Sequence, residues 1–328
     1  MSSYTIVAFC GGGIRGLLSA TVLNRLATKH PEILTSTSLF AGTSTGADII
    51  NMLLAGWGTQ KIVDYYQTSA VKFFQNPKTD PSAPAYSVDE AYAGAVSTAK
   101  GNPLLSAFLP QQVVMTSFDV GQDHVPWQPV LFGNIPRAPV VDWNVADAAT
   151  ASSAMPGMLG SWKGKIDGAF LNHDPTLPAV CAAVASGIAL EDIYAITIGT
   201  GLMSDWIASD TKTWGAKQWQ DGDLNPFNKT PALYINGKVS PIDNASLNGM
   251  TTNTTPMLVK MLLGHRYTNI NPAIPFIAEN DVSQPALNTL VSAGNNAAIA
   301  DAEALLELAW NHLAPRPSPE PLVGLKHR

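Results

Sequence analysis

The segment that most restricts the fold lies at the start of the chain. Tyr4-Thr5-Ile6-Val7-Ala8-Phe9-Cys10 reads as a buried strand, Gly11-Gly12-Gly13-Ile14-Arg15-Gly16 follows without a spacer, and Leu17 to Leu26 has helical apolar spacing. Strand, glycine loop and helix make an anion-cradling arrangement, and the architecture expected of the chain is α/β, a mainly parallel sheet sandwiched by helices. The glycines can turn several N–H groups toward one point, where the helix dipole also favours negative charge. The loop is therefore fitted to a phosphate or to a developing oxyanion.

A second strand-to-helix junction follows. Leu39-Phe40-Ala41 leads into Gly42-Thr43-Ser44-Thr45-Gly46, and Ala47 to Leu54 reads as a helix. A serine on such a turn is lifted out of the sheet, and the flanking glycines Gly42 and Gly46 let the backbone fold beneath it. Ser44 is the candidate nucleophile, with Thr43 and Thr45 completing the turn. The third feature is Ile166-Asp167-Gly168-Ala169-Phe170, after Met155-Pro156-Gly157 and an expected helix from Val145 to Ala154. Asp167 has two readings, a turn residue joining two strands or an acceptor pointing into a site.

Gly11, Gly13 and Gly16 also fit the dinucleotide pattern G-x-G-x-x-G. That pattern expects an acidic residue about twenty positions on, at the end of a second strand. Here Glu32 follows Pro31 in a loop, and the next strand ends in the serine turn. The nucleotide reading is the weaker one.

Together the three segments resemble the patatin-like phospholipase family, whose members carry a glycine loop ending in G-I-R-G, a G-T-S-T-G turn and a D-G-G or D-G-A aspartate. Ala148 to Pro156 is similar to the helix before that aspartate, and Ile198-Gly199-Thr200-Gly201 to the next strand end. The resemblance covers residues 4 to 201 well and the remainder loosely. It departs at Cys10, where many members carry aspartate, and at Asn172-His173, where an asparagine pair is usual. The first change is expected to shape the loop, and the second brings His173 toward the site.

The resemblance implies a patatin-like three-layer fold and a Ser-Asp dyad in which Asp167 takes the proton from Ser44. It also implies an oxyanion hole at Gly11, Gly12 and Gly13, supported by Ile14, Arg15 and Gly16. An ordinary aspartate ionises near pH ~4, so burial must raise its basicity for this task. The implied activity is hydrolysis of acyl-lipid esters through an acyl-enzyme, with neither cofactor nor metal. Arg15 would brace the loop against a carboxylate or meet a phosphate head group. The competing mechanism is a Ser-His-Asp triad of a general esterase, in which His173, His265 or His312 would serve. A competing function of another class is a low-turnover lipid-binding module.

Composition sets the outer bounds. Net charge is −6, and no Lys/Arg cluster is interleaved with aromatic residues, so nucleic acid is not an expected partner. Only 13% of the 328 residues are charged, which suits a lipid or acyl-ester substrate and passing membrane contact through apolar loops, but equally oligomerisation. With two cysteines and no histidine at metal-ligand spacing, disulfide and zinc frameworks lack support. Neither a signal peptide nor a membrane-spanning helix is evident, which makes the cytoplasm the expected location. Residues 1–313 are expected to form one domain and 314–328 a proline-rich flexible tail. Within 202–255, Trp206, Trp214 and Trp219 either line a cap over an acyl groove or anchor an irregular segment.

Overall fold

A computed structural model describes residues 3–99, 101–121, 126–203, 211–222, 242 and 253–311. Its centre is one seven-stranded sheet. The strands are β1 (Tyr4–Phe9), β2 (Leu39–Gly42), β3 (Gln112–Asp119), β4 (Gln128–Gly133), β5 (Lys165–Ile166), β6 (Ile193–Ile198) and β7 (Tyr267–Ile270). They run in the order β4-β3-β2-β1-β6-β7, with β5 on β3. Strands β3, β2, β1, β6 and β7 are parallel, and β4 and β5 run antiparallel to β3.

Every residue of β1 is buried, as befits a parallel strand covered on both faces. Side chains alternate across it. Val7 and Phe9 join one core with Phe40, Met115, Ile196 and Ile198, whereas Ile6 and Ala8 join another with Leu39, Val114 and Ala195. The first core is closed by α1 (Gly16–Lys29), α2 (Thr45–Leu54), α3 (Thr59–Phe74), α5 (Val145–Ser152), α8 (Gln284–Asn296) and α9 (Ala300–Asn311). α4 (Val88–Thr98) packs outside α5 and α2. The opposite face is covered by α6 (Thr176–Ala185) and α7 (Thr254–Leu263). The three-layer α/β architecture expected from the sequence is what forms.

Several boundaries shift. The strand expected through Cys10 stops at Phe9, and the helix expected from Val145 to Ala154 ends at Ser152. The apolar stretch from Leu177 forms α6 and packs on the sheet. No helix among the described residues is long and apolar enough to cross a membrane. Trp214 and Trp219 meet edge-on with ring centroids 5.2 Å apart. Trp206, most of the 202–255 segment and the 314–328 tail lie outside the described residues.

Candidate active site

The sheet gathers the three motifs by a simple device. β2 pairs with β3 only as far as Met115, and β4 takes the other edge of β3 from Val114 to Asp119. Past Met115, the edge that β2 leaves open is taken by β5, through Phe118↔Ile166 and Asp119↔Lys165. Asp167 follows β5 directly, so it emerges beside the turn that ends β2. The glycine loop emerges from β1, the strand paired with β2 in parallel. All three lie at the carboxyl ends of the parallel strands, where α/β sheets place their sites.

Ser44 occupies a turn that its neighbours hold in place. Its φ of 54° and ψ of −126° are strained for a side-chain-bearing residue, and it is 8% exposed. Its N–H donates to Ser152 Oγ at 2.9 Å, and its carbonyl accepts from Ala47 and Asp48. A Cβ at Gly46 would collide with the carbonyl of Phe9, so the first turn of α2 can approach β1 only with glycine there. Thr43 Oγ1 bonds to Thr116 Oγ1 at 2.6 Å and donates to the carbonyl of Asn172 at 2.8 Å, tying the turn to β3 and to the segment after Asp167. The hydroxyls of Thr45 and Tyr66 bond to each other beneath α1.

Asp167 does not join two strands. It caps a 3-10 turn, Gly168–Phe170, with Oδ1 accepting from the Ala169 N–H at 2.8 Å. The residue is fully buried and Oδ2 has no hydrogen-bond partner among the described residues. Burial drives its pKa from 3.8 up to about 8, against the Ala169 bond, and the negative Glu279 pushes in the same direction. The Ser44 hydroxyl lies close enough to lower it somewhat, although no bond of ordinary geometry yet joins the two side chains.

The glycine loop divides its labour. Gly11 donates its N–H to the His173 carbonyl at 3.0 Å, and its own carbonyl accepts from Thr200 Oγ1 at 2.6 Å. The Gly11 amide is thus engaged with the segment after Asp167. Gly12 and Gly13 make no N–H bond among the described residues, and they remain available. Gly12 has φ of 149°, and a Cβ there would clash with Thr200, so the loop requires glycine at this point. Arg15 is 2% exposed and lies under the loop, with its guanidinium 3.4 Å from Glu279 and donating to the Ile277 carbonyl at 2.9 Å. Ile14 donates its N–H to the Glu279 carbonyl at 2.8 Å. Burial works against the Glu279 carboxylate, but His173 and Arg15 together hold its pKa below the ordinary value. Gly16 packs against Thr45 and Tyr66.

The histidines are placed differently. His173 is buried against Gly11, with Nε2 4.0 Å from Glu279, and no hydrogen bond joins it to Ser44. His265 lies in the exposed turn before β7, at the opposite end of the parallel strands from Ser44. His312 is outside the described residues. Cys10 is buried, and its N–H donates to the Ile198 carbonyl at the root of the loop. Among the described residues no group of three metal-ligating side chains gathers.

A cavity of about 380 Å³ opens on Ser44 and runs between α2, α3, α4 and α5. Aromatic side chains of α3 form much of one wall. The sequence reading did not find this chamber, nor Ser152, Thr200 or Glu279 as supports. Ser152 and Thr200 do fall in the two segments singled out as family-like, so a faint signal existed for them.

The family model described as "Patatin-like phospholipase" matches residues 7–180. The chain is 26% identical over 327 residues to Protein teg of Priestia megaterium, covering 95% of this chain and 100% of that protein. It is 25% identical over 321 residues to CotR of Bacillus subtilis, covering 94% and 99% respectively. Patatin-like protein 4 of Arabidopsis thaliana is 27% identical over 262 residues, covering 66% of this chain and 64% of that one. The matched region contains the glycine loop, the serine turn and the Asp167 turn in one sheet, and the chain belongs to the patatin-like phospholipase family.

Proposed function

We propose that the chain is a serine lipid acyl hydrolase, a patatin-like phospholipase A or related carboxylic ester hydrolase, acting through Ser44 and Asp167. The supporting observation is the pairing of a strained, buried serine with a buried carboxyl whose Oδ2 lacks a partner. Asp167 Oδ2 takes the Ser44 proton as Oγ attacks the ester carbonyl. The tetrahedral oxyanion is held by the N–H groups of Gly12 and Gly13, with Gly11, Ile14, Arg15 and Gly16 shaping the loop. Collapse breaks the ester C–O bond, Asp167 returns the proton to the departing alcohol, and an acyl-Ser44 remains. Water then attacks the acyl carbon, giving a proton to Asp167, and the acid leaves as Ser44 is restored.

Burial suits Asp167 to this role, since a carboxyl that titrates near neutrality is a far better base than an ordinary one. The substrate is an acyl lipid or acyl ester met in solution or at a membrane surface, and the chemistry calls on no cofactor. Arg15 acts as a brace, because its guanidinium is engaged beneath the loop rather than presented to a head group. The test is hydrolysis of defined phospholipids, acylglycerols and p-nitrophenyl esters with identification of products. Release of free fatty acid that is lost in Ser44→Ala supports the proposal. Folded protein that binds lipid and releases none supports a binding module.

A further inference from the structure

We propose that the chamber beside Ser44 selects acyl groups that carry a hydroxyl along the chain, with Asp48 and Asn51 receiving it. This rests on the hydrolase reading and extends it to a substrate class.

The chamber has two unlike walls. Trp57, Tyr65, Phe73 and Phe74 supply an aromatic side, whereas the α2 side presents Asp48 and Asn51. These residues stand four and seven positions after Ser44, on one face of the helix. At 1.5 Å per residue they lie roughly 6 and 10 Å along its axis from the nucleophile. Asp48 Oδ2 accepts from Ser153 Oγ at 3.2 Å, and Oδ1 has no partner among the described residues. Asn51 is 2% exposed, and its Nδ2 donates to the Ala95 carbonyl at 3.0 Å. Its Oδ1 is buried without a partner among the described residues.

A buried acceptor left bare is costly unless a ligand supplies the donor. One such oxygen, on Asn51, with the half-buried Asp48 carboxyl between it and the nucleophile, is poorly matched to a plain alkyl chain and well matched to an alkyl chain bearing a hydroxyl. Burial also raises the Asp48 pKa to about 7, against the Ser153 bond, so below that pH its carboxyl can both donate to and accept from a hydroxyl. Among the described residues no Lys, Arg or His lines the chamber, so an acyl chain ending in a second carboxylate or a phosphate finds no counter-charge from them. An extended chain advances about 1.2 Å per bond, which places the hydroxyl about five to eight bonds beyond the carbonyl carbon.

The test compares the p-nitrophenyl esters of octanoate and 6-hydroxyoctanoate with wild type, Asp48→Leu, Asp48→Ala and Asp48→Asn. Wild type is expected to favour the hydroxylated ester about fivefold in kcat/KM, as one well-made hydrogen bond allows. The two removals, one bulky and one small, should shift the preference to octanoate, and Asp48→Asn should keep part of it. A wild-type preference for octanoate, or a hydroxyl preference that survives both removals, overturns the proposal.

Binding separates this idea from the hydrolase reading. Methyl 6-hydroxyoctanoate and methyl octanoate are titrated into Ser44→Ala, followed by tryptophan fluorescence, with and without Asp48→Leu. Hydroxyl-selective binding that depends on Asp48, without turnover of either ester by wild type, leaves the chamber assignment standing and removes the hydrolase. Equal binding and equal turnover of the two esters do the reverse.

Discussion

The backbone N–H of Ser44 donates to the hydroxyl of Ser152 across 2.9 Å, joining the end of β2 to the last turn of α5. The bond satisfies a buried donor on a residue whose φ of 54° is strained. Leaving that donor bare should cost about 1–3 kcal/mol. Ser152→Ala is expected to lower the thermal midpoint and to slow esterase turnover about tenfold, with KM little changed. Stopped-flow and steady-state assays with p-nitrophenyl butyrate check this, and unaltered turnover would show that the strained turn holds without Ser152.

Activity should follow the ionisation of Asp167. Its pKa of about 8 predicts that kcat/KM rises roughly tenfold per pH unit through the acid range and levels off above about 8. A histidine base would instead place the limb near ~6.5. The pH profile of p-nitrophenyl ester hydrolysis distinguishes them, and His173→Ala should leave the Asp167 limb in place.

The same burial weakens the fold at alkaline pH. Folded Asp167 keeps its proton up to about pH 8, whereas the unfolded chain releases it near 3.8. Between those values the folded state binds more protons, so stability falls as pH rises, by roughly 1.4 kcal/mol per unit. Asp167→Asn should therefore raise the thermal midpoint by several degrees at pH 8.5 and leave it nearly unchanged at pH 4. Scanning calorimetry at both values tests the sign.

Gly12→Ala adds a methyl group where φ is 149° and Thr200 is already in contact. The loop must move, carrying the Gly12 and Gly13 amides with it. Losing one oxyanion donor commonly costs 10²–10³ in kcat, and a drop of about that size is expected here. Because the damage is to transition-state binding, the affinity of Ser44→Ala for an ester should be nearly the same with and without Gly12→Ala.

Arg15→Met should slow phospholipid and p-nitrophenyl ester hydrolysis by similar factors, about tenfold or more, since a brace serves every substrate. A loss confined to phospholipids would instead assign the guanidinium to the head group. Parallel assays on the two substrates decide between these roles.

Much of this was legible in the chain because the motifs are local. Strand, glycine loop and helix between Tyr4 and Lys29 follow from contiguous apolar spacing, and so does the turn holding Ser44. Asp167 needed the family resemblance, since an Asp-Gly pair is an ordinary turn until β5 sets it beside the end of β2. The supports were hidden for a different reason. Glu279 lies more than 260 residues from Arg15 in sequence, and the chamber that Asp48 and Asn51 line exists only once α3 and α4 wall it. The engaged Gly11 amide was likewise invisible, because its acceptor is a backbone carbonyl that any residue could supply.

On the proposed mechanism Ser44 is the nucleophile and Asp167 its base. Intact-mass analysis of the folded protein after exposure to a fluorophosphonate probe tests it most directly, with wild type, Ser44→Ala and Asp167→Asn compared at pH 8.5. A single adduct mapping to Ser44, absent in Ser44→Ala and formed at least 10²-fold more slowly in Asp167→Asn, is the predicted result. An adduct on another residue, or equal labelling rates in wild type and Asp167→Asn, would contradict it.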